Sequence, residues 1–186
     1  MTFDGSGPSP TLTTPRLVLR PHRVEDLADS HALWSDPDVV RFIGGRAMSL
    51  EDVWIRLLRH VGQWSVFGWG YFVVRDRTEG TFLGEIGYAE MKRALEPPFD
   101  APESGWAFRP AAQGQGVAAE ALRAVLAFGD QRLPDPGRSV CMIDPANHRS
   151  IRLAERHGYR AYATGRYRDA DLTLFERPRG SGAESL

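Results

Sequence analysis

Apolar residues follow two periodicities along this chain, and each predicts a type of element. Near the N-terminus, Leu17 and Leu19 alternate with their neighbours and predict a strand that ends at the following proline. Farther on, apolar residues recur every three or four positions up to Trp64, which predicts an amphipathic helix packed on a sheet. Ser49 precedes that stretch as its expected N-cap, and Asp52 completes an imperfect capping box.

The stretch from residue 103 to residue 122 changes from a strand pattern to a helix pattern through a glycine-rich turn. Trp106 and Phe108 alternate with smaller residues, and Pro110 ends the predicted strand because it offers no hydrogen-bond donor to a ladder. From Val117 the sequence is rich in Ala, Leu and Glu and predicts a helix. The first N–H groups of a helix lack partners and carry the positive end of its dipole, so this turn can hold a phosphate. An ordinary strand-to-helix turn with small residues is the alternative interpretation.

The other predicted elements are short and closely spaced. They are helices over residues 25–34, 38–43 and 147–157, and strands over residues 70–75, 81–91, 138–143, 159–163 and 172–175. Residues 93–102, with three prolines, form an irregular excursion that is either a surface loop or one wall of a substrate cleft. A charged loop is expected over residues 165–171. We expect a single domain over residues 10–177, with residues 1–9 flexible and residues 178–186 disordered.

The composition is that of an ordinary folded domain of 186 residues, 42% of them apolar. Acidic and basic residues nearly balance, at 24 and 23, so neither a nucleic acid nor a membrane is predicted as a partner. Cys141 is the only cysteine, which excludes an internal disulfide and suits a reducing cytoplasm. The five histidines show no metal-binding spacing, so no metal is expected. The N-terminus shows no signal-peptide pattern, and a monomer and a homodimer both stay open.

Three phosphate-binding motifs can be compared with the turn. A dinucleotide fingerprint needs a third glycine where Ala119 stands, and a Walker loop needs a Lys and a Ser or Thr that are absent after Gly116. The pattern that matches is Gln-x-x-Gly-x-Ala, formed by Gln113, Gly116 and Ala118. It resembles the pyrophosphate loop of the GNAT superfamily of acyl-CoA-dependent N-acyltransferases. The preceding Glu-x-Gly-Trp, which begins at Glu103, resembles the RimJ/RimL branch of that superfamily.

Two further segments carry the same resemblance. Residues 12–21 are similar to the opening strand of the RimJ/RimL branch, and residues 147–159 resemble its Asn-x-x-Ser and Glu-x-x-Gly-aromatic segment. The resemblance implies a mixed α/β fold, with a twisted mixed sheet of about seven strands and helices on both faces. It also implies a splay between the two central parallel strands. The pantetheine arm of acetyl-CoA is expected in that splay, with its pyrophosphate on residues 113–118.

The resemblance implies an acetyl-CoA-dependent N-acetyltransferase that acts on a primary amine, either a protein N-terminus or a small molecule. Glu103 is the first candidate for the base that takes the amine proton, and Glu85 is the second. Ala154 occupies the position of the tyrosine acid found in many members, which leaves Ser150 as a candidate donor. The residues expected to bind the cofactor are Trp106, Ala107, Phe108, Gln113, Gly114, Gln115, Gly116, Val117, Ala118, Asn147 and Ser150.

The acceptor side of the expected site is less defined by the sequence. Phe42, Arg46 and Glu85 are the candidate substrate-binding residues, and the loops over residues 93–102 and 165–171 are the candidate walls. These segments mix charges of both signs and identify no substrate. A non-catalytic acyl-CoA-binding module with the same fold is the alternative function, because the usual tyrosine is missing at Ala154.

Overall fold

The computed structural model describes residues 10–134 and 137–181 of the chain. The helices in that part are α1 (Leu27–Trp34), α2 (Pro37–Val40), α3 (Leu50–Phe67), α4 (Val117–Arg132) and α5 (His148–Arg156). The strands are β1 (Leu12–Thr13), β2 (Leu17–Pro21), β3 (Tyr71–Asp76), β4 (Phe82–Ala89), β5 (Leu95–Glu96), β6 (Glu103–Phe108), β7 (Arg138–Ile143), β8 (Arg160–Tyr167) and β9 (Ala170–Pro178). None of the helices in the described residues is long and apolar enough to cross a membrane.

A single mixed sheet, in the order β1-β2-β3-β4-β6-β7-β9-β8-β5, organises the described residues. Only β6 and β7 are parallel among the paired strands described, and α4 provides the crossover between them. The expected mixed α/β fold is therefore confirmed, but the sheet has nine strands and not about seven. The additional strands include the two-residue β1 and β5 at its edges, which are too short to show a periodicity in the sequence.

Helices cover both faces of the sheet. Phe72 and Phe108 belong to one buried cluster with α4, whereas Val73 and Ala107 belong to another with α1 and α2. Neighbouring residues of a strand point to opposite faces, so the two clusters lie on the two sides of the sheet. Both clusters bury aliphatic and aromatic side chains, which supplies the main driving force for folding.

The helix boundaries follow the capping signals in the sequence. Ser49 accepts from the amide of Asp52, whose side chain accepts in turn from the amide of Ser49, and this confirms the capping box at the start of α3. The predicted helix over residues 25–34 begins as a single 3-10 turn, and α2 is shorter than the predicted residues 38–43. These differences are at element ends, where fraying and short-range hydrogen bonds compete.

The end of the chain differs from the prediction. The charged loop expected over residues 165–171 is absent, because β8 and β9 extend into it and leave only Arg168 and Asp169 between them. Arg166 faces Asp171 across the hairpin, with an ion pair of 3.0 Å. Pro178 ends β9 and was expected in the disordered tail. Residues 1–9 and 182–186, for which flexibility or disorder was predicted, lie outside the described residues.

Candidate active site

The parallel strands β6 and β7 are paired at a single pair of residues. Glu103 pairs with Val140, and the amide of Val140 donates to the carbonyl of Pro102 at 3.0 Å. Beyond this pair the strands separate, which confirms the expected splay. Because the backbone groups of a strand alternate in direction, those of Trp106 and Phe108 point to the same side as Pro102, into the opening.

The turn after β6 presents free amides beside that opening. Gly114 and Gly116 both have φ of +76°, a conformation that favours glycine and that turns the chain into α4. Gly116 is the N-cap of α4 and has no side chain to cap the first turn. Within the described chain, the amides of residues 114–119 have no hydrogen-bond partner. This is the arrangement of donors and helix dipole that binds a phosphate.

A cluster that we call the Glu120 clasp, formed by Thr14, Arg16 and Glu120, holds this turn against the N-terminal strands. Glu120 accepts from the Thr14 hydroxyl at 2.6 Å, from the Arg16 amide at 3.0 Å and from Arg16 Nε at 2.6 Å. Arg16 Nη1 also donates to the carbonyl of Gln115 at 2.9 Å. Burial raises the pKa of Glu120, but these hydrogen bonds outweigh it and lower the pKa below its usual value. The clasp therefore ties the turn to residues about a hundred positions away.

Two side-chain bridges connect β6 and the turn with α5 across the opening. Trp106 Nε1 donates to Ser150 Oγ at 3.3 Å, and Arg149 Nη1 donates to Gln113 Oε1 at 3.0 Å. Gln113 also donates to the carbonyl of Phe108 at 3.2 Å. Asn147 Oδ1 caps α5 by accepting from the amide of Ser150, which leaves its amide nitrogen without a partner in the described chain. Most of the expected cofactor residues are thus gathered around one opening, whereas the backbone of Ala107 faces β4.

Glu103 lies at the closed end of the splay and is paired with Arg93. Arg93 Nε donates to one carboxylate oxygen at 2.6 Å and Nη2 to the other at 3.0 Å, while Nη1 reaches the Tyr167 hydroxyl at 3.3 Å. Burial lowers the pKa of Arg93, but Glu103 outweighs it and raises that pKa above the usual value. A cavity of about 240 Å³ adjoins the pair, and its lining consists of Ala89, Glu90, Met91, Lys92, Arg93, Pro98, Phe99, Ala101 and Glu103. A carboxylate has about four acceptor positions, so Glu103 can still accept further hydrogen bonds there.

Glu85 lies on β4 and is fully enclosed. Its oxygens accept from the Ser30 hydroxyl at 2.6 Å and the Trp34 indole at 2.8 Å, and His22 Nε2 lies at 3.2 Å. Burial raises the pKa of Glu85, but His22, Arg56 and Ser30 outweigh it and hold that pKa at about 2. A carboxylate with so many donors and so low a pKa is a poor base at neutral pH. Its 1% exposure also disfavours the expected contact with substrate.

The same carboxylate belongs to the group His22, His60 and Glu85, whose potential ligand atoms lie within 4.8 Å of one another. The donors around Glu85 already occupy its oxygens, and Arg56 Nε lies 3.9 Å away. The two histidine rings are stacked, with centroids 4.9 Å apart, and none of their four ring nitrogens has a hydrogen-bond partner in the described chain. Glu85 therefore lies in a buried cluster of charged and polar groups, and the expected absence of a metal stays a prediction.

Tyr71 of β3 reaches across β4 and contacts β6 at Gly105. Tyr71, Gly87 and Gly105 lie side by side on three adjacent strands, and a Cβ on Gly105 would overlap the Tyr71 hydroxyl oxygen. The Tyr71 side chain therefore extends over β6 because Gly105 has no side chain there. Burial, followed by the charge of Glu103, raises the pKa of Tyr71 to about 12. Neither Tyr71 nor Arg93 was singled out from the sequence, because a strand tyrosine and a loop arginine carry no motif.

Phe42 and Arg46, the other expected substrate residues, follow α2. The Arg41 guanidinium lies 5.1 Å from the centre of the Phe42 ring, and Arg46 lies 3.9 Å from Asp52 with 85% of its side chain exposed. Within the described residues, no hydrogen bond, ion pair or ring contact connects Phe42 or Arg46 with β6. Their role in substrate binding stays a prediction.

Known proteins share this architecture over most of the chain. A family model described as an acetyltransferase (GNAT) domain matches residues 16–160. The uncharacterized protein YkkB of Bacillus subtilis (strain 168) is 30% identical over 172 residues, which cover 89% of this chain and 94% of YkkB. The structure of a Bordetella pertussis protein assigned to the GnaT acetyltransferase family has a TM-score of 0.79 at 35% identity, covering 90% of this chain and 99% of that one.

A structure with bound ligands has the same fold at lower sequence identity. A spermidine N-acetyltransferase of Vibrio cholerae, solved in complex with CoA and spermine, has a TM-score of 0.71 at 16% identity. The match covers 91% of this chain and 99% of that one. At this identity the likeness shows the fold alone.

Proposed function

This chain belongs to the GNAT family of acetyltransferases, and we propose that it transfers the acetyl group of acetyl-CoA to a primary amine within a ternary complex. The observation that supports this proposal most is the position of the unpartnered amides of residues 114–119 beside the splay between β6 and β7. A diphosphate needs several N–H donors at one point, and an extended amide-bearing chain needs an open strand edge. In this structure the amides of residues 114–119 lie next to the open edge of β6.

The residues around the splay would contact the parts of acetyl-CoA in order. The turn amides and the N-terminus of α4 would hold the pyrophosphate. The open edge at Trp106 and Phe108, with the free amide nitrogen of Asn147, would hold the pantetheine arm. Acetyl-CoA supplies an activated acetyl thioester, and a backbone N–H of β6 that points into the opening would stabilise developing charge on its oxygen.

We assign the role of base to Glu103. It borders the cavity at the closed end of the splay, whereas Glu85 is enclosed and has a pKa of about 2. The Arg93 fork fixes the orientation of the Glu103 carboxylate and leaves acceptor positions on its oxygens. Glu103 would take the amine proton directly or through a water molecule. Glu85 would instead fix the positions of His22, Ser30 and Trp34 behind the site.

We propose that Ser150 donates a proton to the leaving thiolate of CoA. Its oxygen accepts from Trp106, and its own hydroxyl proton has no acceptor in the described chain. The hydroxyl is therefore available to donate at the mouth of the splay. The tyrosine used by many relatives is replaced by the buried Ala154, whose methyl group offers no proton. Binding both reactants in the correct orientation would supply much of the rate enhancement, on the order of 7–11 kcal/mol.

Finer assignments rest on the sequence. The three motif matches support a RimJ/RimL-like member, and the single cysteine supports a cytoplasmic location. The acceptor would be a protein N-terminus or a small amine.

Release of the CoA thiol from acetyl-CoA, measured with a panel of amines, tests the proposed function directly. We expect release that depends on an amine and that yields the N-acetyl product in equal amount. Tight CoA binding in calorimetry, without release for any amine, would instead support a non-catalytic acyl-CoA-binding module.

A further inference from the structure

The wall formed by α3 beside Tyr71 and Glu103 carries an excess of positive charge. Arg56 and Arg59 lie on α3, and Arg93 lies opposite them, beside Glu103. Among the described residues, two carboxylates act on these guanidinium groups: Glu103, held by Arg93, and Glu85, held by His22, Ser30 and Trp34. Glu90, at the rim of the adjoining cavity, is paired with Lys92 at 2.6 Å. Arg56 lies 3.9 Å from Glu85, so Arg59 is the arginine of the three that has no carboxylate partner in the described chain.

Arg56 is held rigidly with its donors available. Its guanidinium carbon lies 3.7 Å from the centre of the Trp34 ring, and only 12% of its side chain is exposed. Its Nε is buried without a hydrogen bond, 3.9 Å from Glu85. Its two terminal nitrogens also lack hydrogen-bond partners within the described chain, but they are not enclosed. They therefore present a pair of N–H donors at the accessible surface, in the geometry that a carboxylate matches.

Neighbouring groups extend this donor surface. The Tyr71 hydroxyl likewise has no partner in the described residues and lies over Gly105 of β6. Arg59, one turn along α3 from Arg56, is exposed and forms no ion pair in the described chain. Partial burial of the Arg59 side chain, followed by the charges of Arg56 and Arg93, lowers the pKa of Arg59. An anion between these groups would relieve their mutual repulsion.

We propose that Arg56, Arg59 and the Tyr71 hydroxyl form a subsite for a carboxylate carried by the acceptor amine, so that the acceptor is an amino acid or a close analogue. This inference rests on the proposed function, because it places the amine beside Glu103 and the thioester. The subsite selects against polyamines, whose additional positive charges would meet Arg56 and Arg59. It also selects against peptide N-termini, whose nearest backbone carbonyl is an amide and carries no charge.

The test compares acetyl transfer to standard L-amino acids with transfer to their amides, to peptides and to spermidine. An amide has a more acidic α-ammonium group than the free amino acid, so its larger fraction of neutral amine biases the comparison against our proposal. We expect kcat/KM for at least one free amino acid to exceed that of its amide about 10- to 100-fold, the effect of a charge-assisted hydrogen bond.

Two substitutions locate the effect. The preference for the free amino acid over its amide should fall at least severalfold in Arg59→Ala and in Arg56→Lys. Arg56→Lys keeps the positive charge but loses the planar pair of N–H donors. The KM for acetyl-CoA should stay within about twofold in Arg59→Ala, because Arg59 forms no hydrogen bond or ion pair with the diphosphate-binding turn in the described chain. Arg160→Ala, an exposed arginine at the start of β8, is the matched control and should keep the preference.

Each outcome distinguishes the inference from the proposed function. If amides, peptides or spermidine are acetylated as well as or better than free amino acids, and Arg59→Ala does not change this, the carboxylate subsite is overturned. The proposed acetyltransferase activity would stand. If acetyl-CoA binds but no acceptor of any class causes thiol release, the proposed function is contradicted, and the subsite with it.

Discussion

Trp106 of β6 donates its indole N–H to Ser150 Oγ of α5, and this hydrogen bond of 3.3 Å spans the opening between β6 and β7. Ser150, which accepts this hydrogen bond, is also the residue that we propose as the proton donor to the leaving thiolate of CoA. Because the indole N–H occupies one lone pair of the Ser150 oxygen, the hydroxyl proton is directed elsewhere. The same contact therefore connects β6 with α5 and orients the Ser150 hydroxyl.

Ser150→Ala tests that donor. The substitution keeps the N-cap of α5, because the capping contact uses the backbone amide of residue 150. We expect kcat to fall about 10- to 100-fold, at the low end of general acid effects, with the Kd for acetyl-CoA changed less than threefold. Steady-state kinetics and calorimetry measure the two quantities. The exposed Ser65→Ala is the control, and a kcat equal to that of the wild type would remove Ser150 from the proton transfer.

Glu103→Gln tests the assigned base while retaining the shape of the side chain. We expect kcat to fall about 100-fold or more, with little change in acetyl-CoA affinity. Arg93→Gln breaks the same ion pair but leaves the carboxylate in place. If Glu103 acts as a base, Glu103→Gln should lose far more activity than Arg93→Gln. Equal losses of activity and of stability in the two variants would instead assign Glu103 to structure alone.

Glu85 gives a pH-dependent contribution to stability. Its pKa is held at about 2 in the folded protein, below the ordinary value of 4.5. The stabilisation is therefore complete above pH 4.5 and is lost as the pH falls toward 2. We expect the free energy of unfolding to lose on the order of 2–3 kcal/mol from this group alone over that window.

The comparison of Glu85→Gln with the wild type measures this contribution. Urea unfolding at several pH values between 6 and 3.5 should show a smaller loss of stability on acidification in the variant, together with lower stability at neutral pH. Glu79→Gln, at an exposed turn position, is the control. Parallel pH profiles for the wild type and Glu85→Gln would contradict the depressed pKa.

The Glu120 clasp makes a prediction about cofactor affinity. Glu120→Ala removes the acceptor shared by Thr14 and Arg16, and so releases the turn from the N-terminal strands. We expect the Kd for acetyl-CoA to rise about 10-fold, since ordering a loose turn on binding opposes association. The kcat at saturating acetyl-CoA should change less than twofold. A lower kcat with unchanged affinity would show that the clasp serves another purpose.

Much of the fold and of the cofactor side could be predicted from the sequence, because the signals there are local. The capping box at Ser49 and the glycine turn at Gly116 depend on residues within a few positions of one another. Both β8 and β9 were predicted, but the tight turn between them was missed for a corresponding reason. That turn contains Arg168, with φ of +55°, in place of the Gly or Asn that marks such turns.

The acceptor side could not be predicted because its contacts are long-range. Glu85 contacts Ser30 and Trp34 from more than fifty positions away, and Tyr71 meets Gly105 across two strand pairings. The Arg93 fork on Glu103 depends on how residues 93–102 fold back, and no periodicity describes that segment. Sequence patterns identified the carboxylates, but only the three-dimensional arrangement separates the enclosed Glu85 from Glu103.

The central claim is that the amides of residues 114–119 hold the diphosphate of acetyl-CoA, and Gly116→Asp tests it most directly. A Cβ at this position would meet only Arg16 Nη2, at 3.4 Å, so the aspartate adds a negative charge with little steric conflict. Gly80→Asp, at another glycine with positive φ, is the control for backbone strain. Calorimetric titration with CoA should show at least a 100-fold weaker Kd for Gly116→Asp and an unchanged Kd for Gly80→Asp. Wild-type affinity in Gly116→Asp would contradict the account.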